Sequence, residues 1–248
     1  MNASIRSFDE RRDIIIPGNM KETLTFCAEH FIVAFQEAVA DHGSFRVALS
    51  GGSTPKALYA LLTEPPYANK IDWNRIHLFW SDERNVPPDH VNSNYHMAMQ
   101  AGFAKMNIPN SQIHRMVGEK NIQEGAAAYD SLLQTELKGQ GFDYVCLGMG
   151  KDGHTASLFP GTKGLSVKGR LVIANEIPQK DTWRMTFTFD CINNAKHIVL
   201  YVLGEDKKEM VQRVFSTKEE PYPVQKIGTP QHKALWILDW GASSLLFP

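Results

Sequence analysis

No stretch of this chain approaches the ~18 consecutive apolar residues that a membrane-spanning helix requires. The N-terminal segment is equally short of an apolar core: Arg6, Asp9, Glu10, Arg11, Arg12 and Asp13 are followed only by Ile14 to Ile16 before Pro17. That argues against a secretory signal, so a cytoplasmic protein with no membrane partner is expected. Charge of one sign is also lacking. Lysine and arginine together number 26 against 27 aspartates and glutamates, a formal net charge of −1. With no basic excess or stripe, nucleic acid is not an expected partner. Cysteine is scarce: Cys27, Cys146 and Cys191 are odd in number, far apart and without a C-x-x-C. Neither a disulfide framework nor a zinc knuckle is indicated. Each sits among apolar neighbours and is expected to be a buried thiol, as suits a reducing compartment. Among nine histidines there is no H-E-x-x-H or other familiar metal-ligand spacing.

What is present is ordinary globular material. Hydrophobic residues make up 43% and charged residues 21% of the 248, enough to bury a core without cross-links. Helical periodicity predicts helices over Met20 to Ala40, Pro55 to Leu62, Ser93 to Lys105, Ile122 to Lys138 and Lys207 to Phe215. Strands are expected at Phe45 to Leu49, Ile76 to Trp80, Phe142 to Leu147, Leu171 to Ala174, Met185 to Phe189, Ile198 to Leu203 and Ala234 to Leu238. Runs such as Ile198-Val199-Leu200-Tyr201-Val202-Leu203 are apolar throughout, the mark of strands covered on both faces in a parallel sheet. Their alternation with helices implies an α/β fold of three layers, α/β/α. No linker or repeat divides the chain, so residues 1–248 are expected to form a single domain. The prolines at 87–88 and 221–223 read as ordered surface loops.

Open sheets of this kind bind ligands beyond the carboxyl ends of their strands, and three such places are rich in glycine and polar residues. Ser50-Gly51-Gly52-Ser53-Thr54-Pro55 follows the first central strand. Its glycines allow a tight turn and close ligand approach, Ser53 or Thr54 can cap the next helix, and Pro55 suits that helix's first position. Such a turn is a natural phosphate cradle, though also an ordinary strand-to-helix connection. Trp80 to Asn85 reads as a second loop, in which Arg84 offers a planar fork for phosphate or carboxylate; alone, Asp82-Glu83-Arg84 is equally a solvated charged loop. The third loop, Gly148 to Gly161, holds His154 two residues after Asp152. A histidine in a glycine loop beside a carboxylate can act as a general base near neutral pH. Gly148, Gly150 and Gly153 also fit a dinucleotide fingerprint with Glu176 downstream. That reading needs a helix immediately after the last glycine, whereas Pro160, Gly161 and Gly164 intervene and Asp152 would face the pyrophosphate.

At these loops the chain resembles the 6-phosphogluconolactonases, within the superfamily that includes glucosamine-6-phosphate deaminase. The segments that carry the likeness are ALSGGSTPKALY, HLFWSDERNVPPDHVNSNY, FDYVCLGMGKDGHTASLFPG, the RMTFTF strand and the G-x-x-K of Gly204 to Lys207. The resemblance implies a Rossmann-like fold with a mostly parallel sheet and chemistry without metal or organic cofactor. Its implied substrate is a sugar-phosphate lactone, 6-phospho-D-glucono-1,5-lactone of the oxidative pentose phosphate pathway. His154 resembles the histidine that activates water, with Asp152 or Asp82 to orient it. Ser50, Gly51, Gly52, Ser53, Thr54, Arg84 and Lys207 resemble substrate- and phosphate-holding groups, and Arg184 a further basic residue near the site. A deaminase or isomerase, or a sugar-phosphate sensor on the same scaffold, are the alternatives. The deaminases typically read D-E-Y and DGHIAFNEPG where this chain has Asp82-Glu83-Arg84 and DGHTASLFPG. Phe159 thus stands where they carry a glutamate, and Phe cannot transfer a proton.

Overall fold

The computed structural model describes residues 4–217, 219 and 221–246. In chain order the strands and helices are β1 (Arg6–Ser7), β2 (Arg12–Ile15), α1 (Met20–His42), β3 (Phe45–Leu49), α2 (Ser53–Leu62), β4 (Ile76–Trp80), β5 (Asp82–Arg84), α3 (Asn94–Gln100), α4 (Ile122–Leu137), β6 (Tyr144–Leu147), β7 (Val172–Ile177), β8 (Thr182–Phe187), α5 (Phe189–Asn193), β9 (His197–Val202), α6 (Lys208–Ser216), β10 (Ala234–Leu238) and α7 (Trp240–Ser243). Seven strands form one sheet in the order β1-β2-β10-β9-β6-β3-β4. All its pairings are parallel except that of the short edge strand β1 with β2. With helices flanking it, this is the Rossmann-like α/β/α architecture expected. A second, antiparallel sheet, β5-β8-β7, extends from the end of β4. Residues of both sheets belong to one continuous apolar core.

The central strands bury their side chains on both faces: every residue of β6 and β10 is buried, as are four of the five in β3 and in β4. Helix α1 starts cleanly because Asn19 accepts from the Glu22 amide while the Glu22 carboxylate accepts from the Asn19 amide, two orphan donors satisfied together. It stops at Gly43, whose φ of 85° is the left-handed conformation that ends a helix. The three cysteines are buried and free; burial lifts the Cys146 thiol to about 12, so it stays protonated.

Several expectations need correcting. Residues 82–84 are a strand, not a loop: Asp82, Glu83 and Arg84 pair with Thr186, Met185 and Arg184 of β8. The helix expected over Ser93 to Lys105 ends at Gln100, and Gly102, at φ 147°, breaks it before a short 3-10 turn at Phe103–Lys105. Helix α2 begins at Ser53 with Gly52 as its N-cap and no side-chain cap, so neither Ser53 nor Thr54 caps it and Pro55 stands third. Strand β2 was not expected, because Arg12 and Asp13 open it. Arg12 is nonetheless buried, pairing with Asp9 at 2.6 Å while its guanidinium lies over Phe8 and Phe215.

Candidate active site

Strands β3, β4, β6 and β9 run parallel, so their carboxyl ends open at one edge of the sheet. There the chain reverses to either side of β3, which lies between β4 and β6, and a crevice results. Its cavity, about 200 Å³, is lined by Ser50 to Pro55 after β3, Asp82 and Arg84 of β5, Gly148 to Gly150 and His154 to Ala156 after β6, and Arg184 and Lys207. The three polar segments singled out in the sequence thus meet in one place. Among the residues assigned a role there, only Asp152 is not in the lining, and it sits directly behind His154.

His154 is held on two sides. Its backbone N–H donates to Asp152 Oδ1 at 3.2 Å, and the same oxygen lies against Nδ1 of its ring. The carboxylate that orients the imidazole is therefore that of Asp152. Gly150 makes room for the pair, because a Cβ there would run into the His154 ring and the Asp152 carboxylate. One face of the imidazole stacks on Phe159, ring centroids 3.9 Å apart and 19° from parallel. Burial pulls the His154 pKa below its ordinary value; the Asp152 hydrogen bond and the charges of Asp152 and Asp82 oppose this without reversing it. A neutral imidazole whose Nδ1 is engaged by a carboxylate presents Nε2 as its free base.

Asp82 does other work. Its Oδ2 accepts from the Ser157 hydroxyl at 2.7 Å, and Oδ1 and the backbone oxygen accept from the Asn94 side-chain amide at 3.1 and 2.9 Å. Asn94 in turn fills the space beside Gly51, where any Cβ would strike its amide. Asp82 thereby ties the first, second and third polar segments together, close enough to His154 for its charge to be felt there. Glu83 is fully structural. Its buried carboxylate accepts from the amides of Arg84, Asn94 and Tyr95 and from the Ser93 hydroxyl, anchoring the start of α3. Burial raises its pKa, and those backbone donors oppose the rise.

Three cations, Arg84, Arg184 and Lys207, line the cavity against one carboxylate, that of Asp82. Arg84 and Arg184 are directly opposite one another on β5 and β8, an arrangement of like charges that costs stability unless something negative lies between them. Arg84 donates to the Asn92 carbonyl at 2.6 Å and Arg184 approaches the Ser157 hydroxyl at 3.5 Å, yet Nε of each is buried without a partner. The Ser50 and Thr155 hydroxyls are buried and unpartnered as well. Lys207 reaches across to the Met149 carbonyl at 3.2 Å. The uncapped N-terminus of α2 adds amides and the positive end of a helix dipole. Lys180 is absent from the lining; its ammonium lies 5.5 Å from the Phe159 ring centre, as does the Arg184 guanidinium. Asn94, Ser157 and Thr155 were not picked out in advance. Asn94 and Ser157 stand 12 and 75 residues from Asp82, with no local pattern to mark them. The dinucleotide reading finds no support, since the chain after Gly153 makes a tight Thr155–Leu158 bridge with Ala156 at φ 46° instead of a helix.

Residues 18–236 match the family described as glucosamine-6-phosphate isomerases/6-phosphogluconolactonase. The chain belongs to that family. It is 36% identical over 242 residues to the 6-phosphogluconolactonase of Chlamydia pneumoniae, covering 95% of this chain and 91% of that one. To the 6-phosphogluconolactonase of Nostoc sp. it is 41% identical over 218 residues, 84% of this chain and 88% of the other. Among solved structures, 6-phosphogluconolactonase from Trypanosoma cruzi superposes with a TM-score of 0.84 at 29% identity, covering 98% of this chain and 99% of that one.

Proposed function

We propose that this chain hydrolyses 6-phospho-D-glucono-1,5-lactone to 6-phospho-D-gluconate in the oxidative pentose phosphate pathway, as a cytoplasmic enzyme. The observation that carries the reading is the Asp152–His154 pair facing a cavity whose walls hold three cations and buried, unpartnered donors. The names of its relatives agree with it. The phosphate is bound by Arg84, Lys207 and the Ser50 to Thr54 turn, with Arg184 beside them, and that binding holds the lactone in the crevice. His154 Nε2 takes a proton from water as the oxygen attacks C1, while Asp152 stabilises the imidazolium that forms. Negative charge develops on the carbonyl oxygen and is met by donors already fixed in the cavity wall. The ring C–O bond then breaks and the ring oxygen leaves with a proton from the imidazolium. A lactone carbonyl is reactive enough that no covalent nucleophile is needed.

A direct assay on freshly formed 6-phosphogluconolactone, corrected for spontaneous ring opening, tests the proposal. Rapid hydrolysis that the His154→Ala protein lacks is the expected result. Ammonia release from glucosamine 6-phosphate with lactone opening no faster than in buffer would reverse it.

A further inference from the structure

At the amino-terminal end of β4, opposite the end that carries the catalytic crevice, three side chains from distant parts of the chain converge. His77 is the second residue of β4. His114 follows the segment that Ile113 joins to Leu78 by a parallel bridge, and its backbone N–H donates to the Leu78 carbonyl at 2.8 Å. Glu136 lies in the last turn of α4. One donor atom from each of the three lies within 4.8 Å of the other two. We propose that His77, His114 and Glu136 form a site for a divalent transition-metal ion of the zinc class.

The hydrogen-bond pattern calls for an occupant. His77 Nδ1 and His114 Nε2 are both buried with no partner, and a buried polar atom left unsatisfied is costly. The Glu136 carboxylate makes no hydrogen bond or ion pair among the described residues, and its charge is felt by the two imidazoles. It sits at the end of a helix, where a carboxylate is disfavoured. The last turn of α4 holds no basic residue and Lys138 follows only as its C-cap, so the carboxylate lies near the negative end of the helix dipole. A cation relieves that repulsion and satisfies both imidazoles. The rings are also held in place: the two histidines lie 8° from parallel with centroids 5.9 Å apart, and His114 stacks on Phe79 at 4.3 Å. Burial lowers the pKa of each histidine, which favours the neutral form that ligates metal.

Two features limit the affinity. Arg46, paired in register with His77 on the neighbouring strand, brings a positive charge nearby. His77 Nε2 faces the Gln112 amide nitrogen at 3.1 Å, whereas ligation through Nδ1 places the ring proton on Nε2. Turning the Gln112 amide would present Oε1, now buried and unpartnered, to that proton, at the cost of the bond from its nitrogen to the Asn74 carbonyl. Drawing the donors to the roughly 3.3 Å separation set by tetrahedral zinc bonds of ~2.0–2.1 Å requires Glu136, which is half-buried, to swing inward. Two nitrogens and one carboxylate oxygen suit zinc, cobalt or nickel, with water completing the shell. The ion would clip α4 and the 113–116 segment to β4 and leave the catalytic crevice untouched.

Equilibrium dialysis of the metal-free protein against zinc chloride, with cobalt(II) absorption as the spectroscopic readout, tests the site. One saturable equivalent per chain is expected, accompanied by a rise in thermal midpoint that grows with zinc concentration. His77→Gln and Glu136→Gln should each weaken binding at least tenfold and abolish the thermal shift, while lactone hydrolysis by the metal-free variants matches that of the metal-free parent. Glu136 is only half-buried and its replacement by Gln is nearly isosteric, so Glu136→Gln remains a test even if His77→Gln does not fold. The comparison with His154→Gln separates this site from the catalytic histidine. Absence of saturable uptake, or uptake that His154→Gln abolishes and Glu136→Gln spares, overturns the proposal.

Discussion

The Phe159 ring lies flat against His154, and Phe159 itself has no exposed surface. The stack does two things. It fixes the tilt of the imidazole while Asp152 fixes its rotation in plane, and it removes water from one ring face. Removing water disfavours the imidazolium, in accord with burial as the leading cause of the lowered His154 pKa. With His154 as the base of the proposed mechanism, activity should be full at neutral pH and fall on acidification through its pKa. Because the shift is downward in the ligand-free protein, the acid limb of kcat/KM should lie below the ordinary histidine value of about 6.5. Phe159→Leu rehydrates the ring and should move that limb upward in pH, with a smaller effect on KM. A limb unmoved in a well-folded Phe159→Leu protein would show that the stack does not tune the base.

Asp152 is the partner that selects the tautomer. Its own carboxyl is pushed up by burial, but the His154 hydrogen bond and charge outweigh this and hold it below the usual value. Asp152→Asn offers Nδ1 an amide that can donate as readily as accept, so Nε2 can be left carrying the proton. A general base contributes ~10²–10⁴-fold, and Asp152→Asn should forfeit at least about 10²-fold of kcat with KM little changed. Asp82→Asn, in contrast, disturbs the bonds to Ser157 and Asn94, and is expected to alter KM as much as kcat. Comparing the two variants on one substrate distinguishes the orienting carboxylate from the bracing one.

Much of this was legible where burial is two-sided. The expected bounds of β3, β4 and β10 match the strands observed, because a strand covered on both faces is a short, nearly continuous apolar run, broken here only by Arg46 and His77. The errors fall where charge is used inside the fold. Arg12 opens β2 because Asp9 and two aromatic rings enclose it, and all of those partners lie outside the strand. Asp82 and Glu83 read as a loop because their carboxylates are spent on Ser157, Asn94, Ser93 and Tyr95 outside the strand, and Arg84 because it lines the cavity. The same limit hid the His77, His114 and Glu136 cluster, whose members come from β4, the segment bridged to it at Ile113, and α4. The glycines were more informative: Gly51 and Gly150 mark the two positions where a side chain would collide with Asn94 and with the Asp152–His154 pair.

Arg84 and Arg184 face each other across β5 and β8, each with an unpartnered buried Nε. If a phosphate dianion lies between them, removing one cation loses a charged hydrogen bond, about 1.5–3 kcal/mol or roughly ten- to a hundredfold in binding. Arg84→Ala should raise KM for the phosphorylated lactone by that factor and leave the unphosphorylated gluconolactone nearly unaffected. Lys207→Ala should behave alike. Removing one arginine also relieves the repulsion between the pair, so the substrate-free Arg84→Ala protein should lose no thermal stability. Equal losses on both lactones would assign these cations to the carbonyl oxygen instead of the phosphate.

His30 supplies a test of the fold that does not involve catalysis. It lies within α1, its Nδ1 2.9 Å from the Tyr144 hydroxyl, which continues to the Tyr201 hydroxyl at 2.8 Å. Burial, reinforced by the neighbouring His197, lowers its pKa to about 4, whereas an unfolded chain keeps a value near 6.5. Between those values the unfolded state binds a proton that the folded state refuses, so stability rises with pH across that window. The contribution is fully present above about pH 6.5 and is lost progressively as pH falls toward 4. At ~1.4 kcal/mol per pH unit, His30 alone should cost about 2 kcal/mol of stability between about pH 7.5 and about pH 5. His77, His114, His154 and His197, also lowered by burial, add to the same trend. Urea unfolding of the parent and of His30→Gln at the two pH values isolates the His30 share. His30→Gln is less stable at the higher pH, having lost its bond to Tyr144, but it should lose distinctly less than the parent on acidification. An identical loss in both proteins would mean that His30 takes up a proton without leaving the fold.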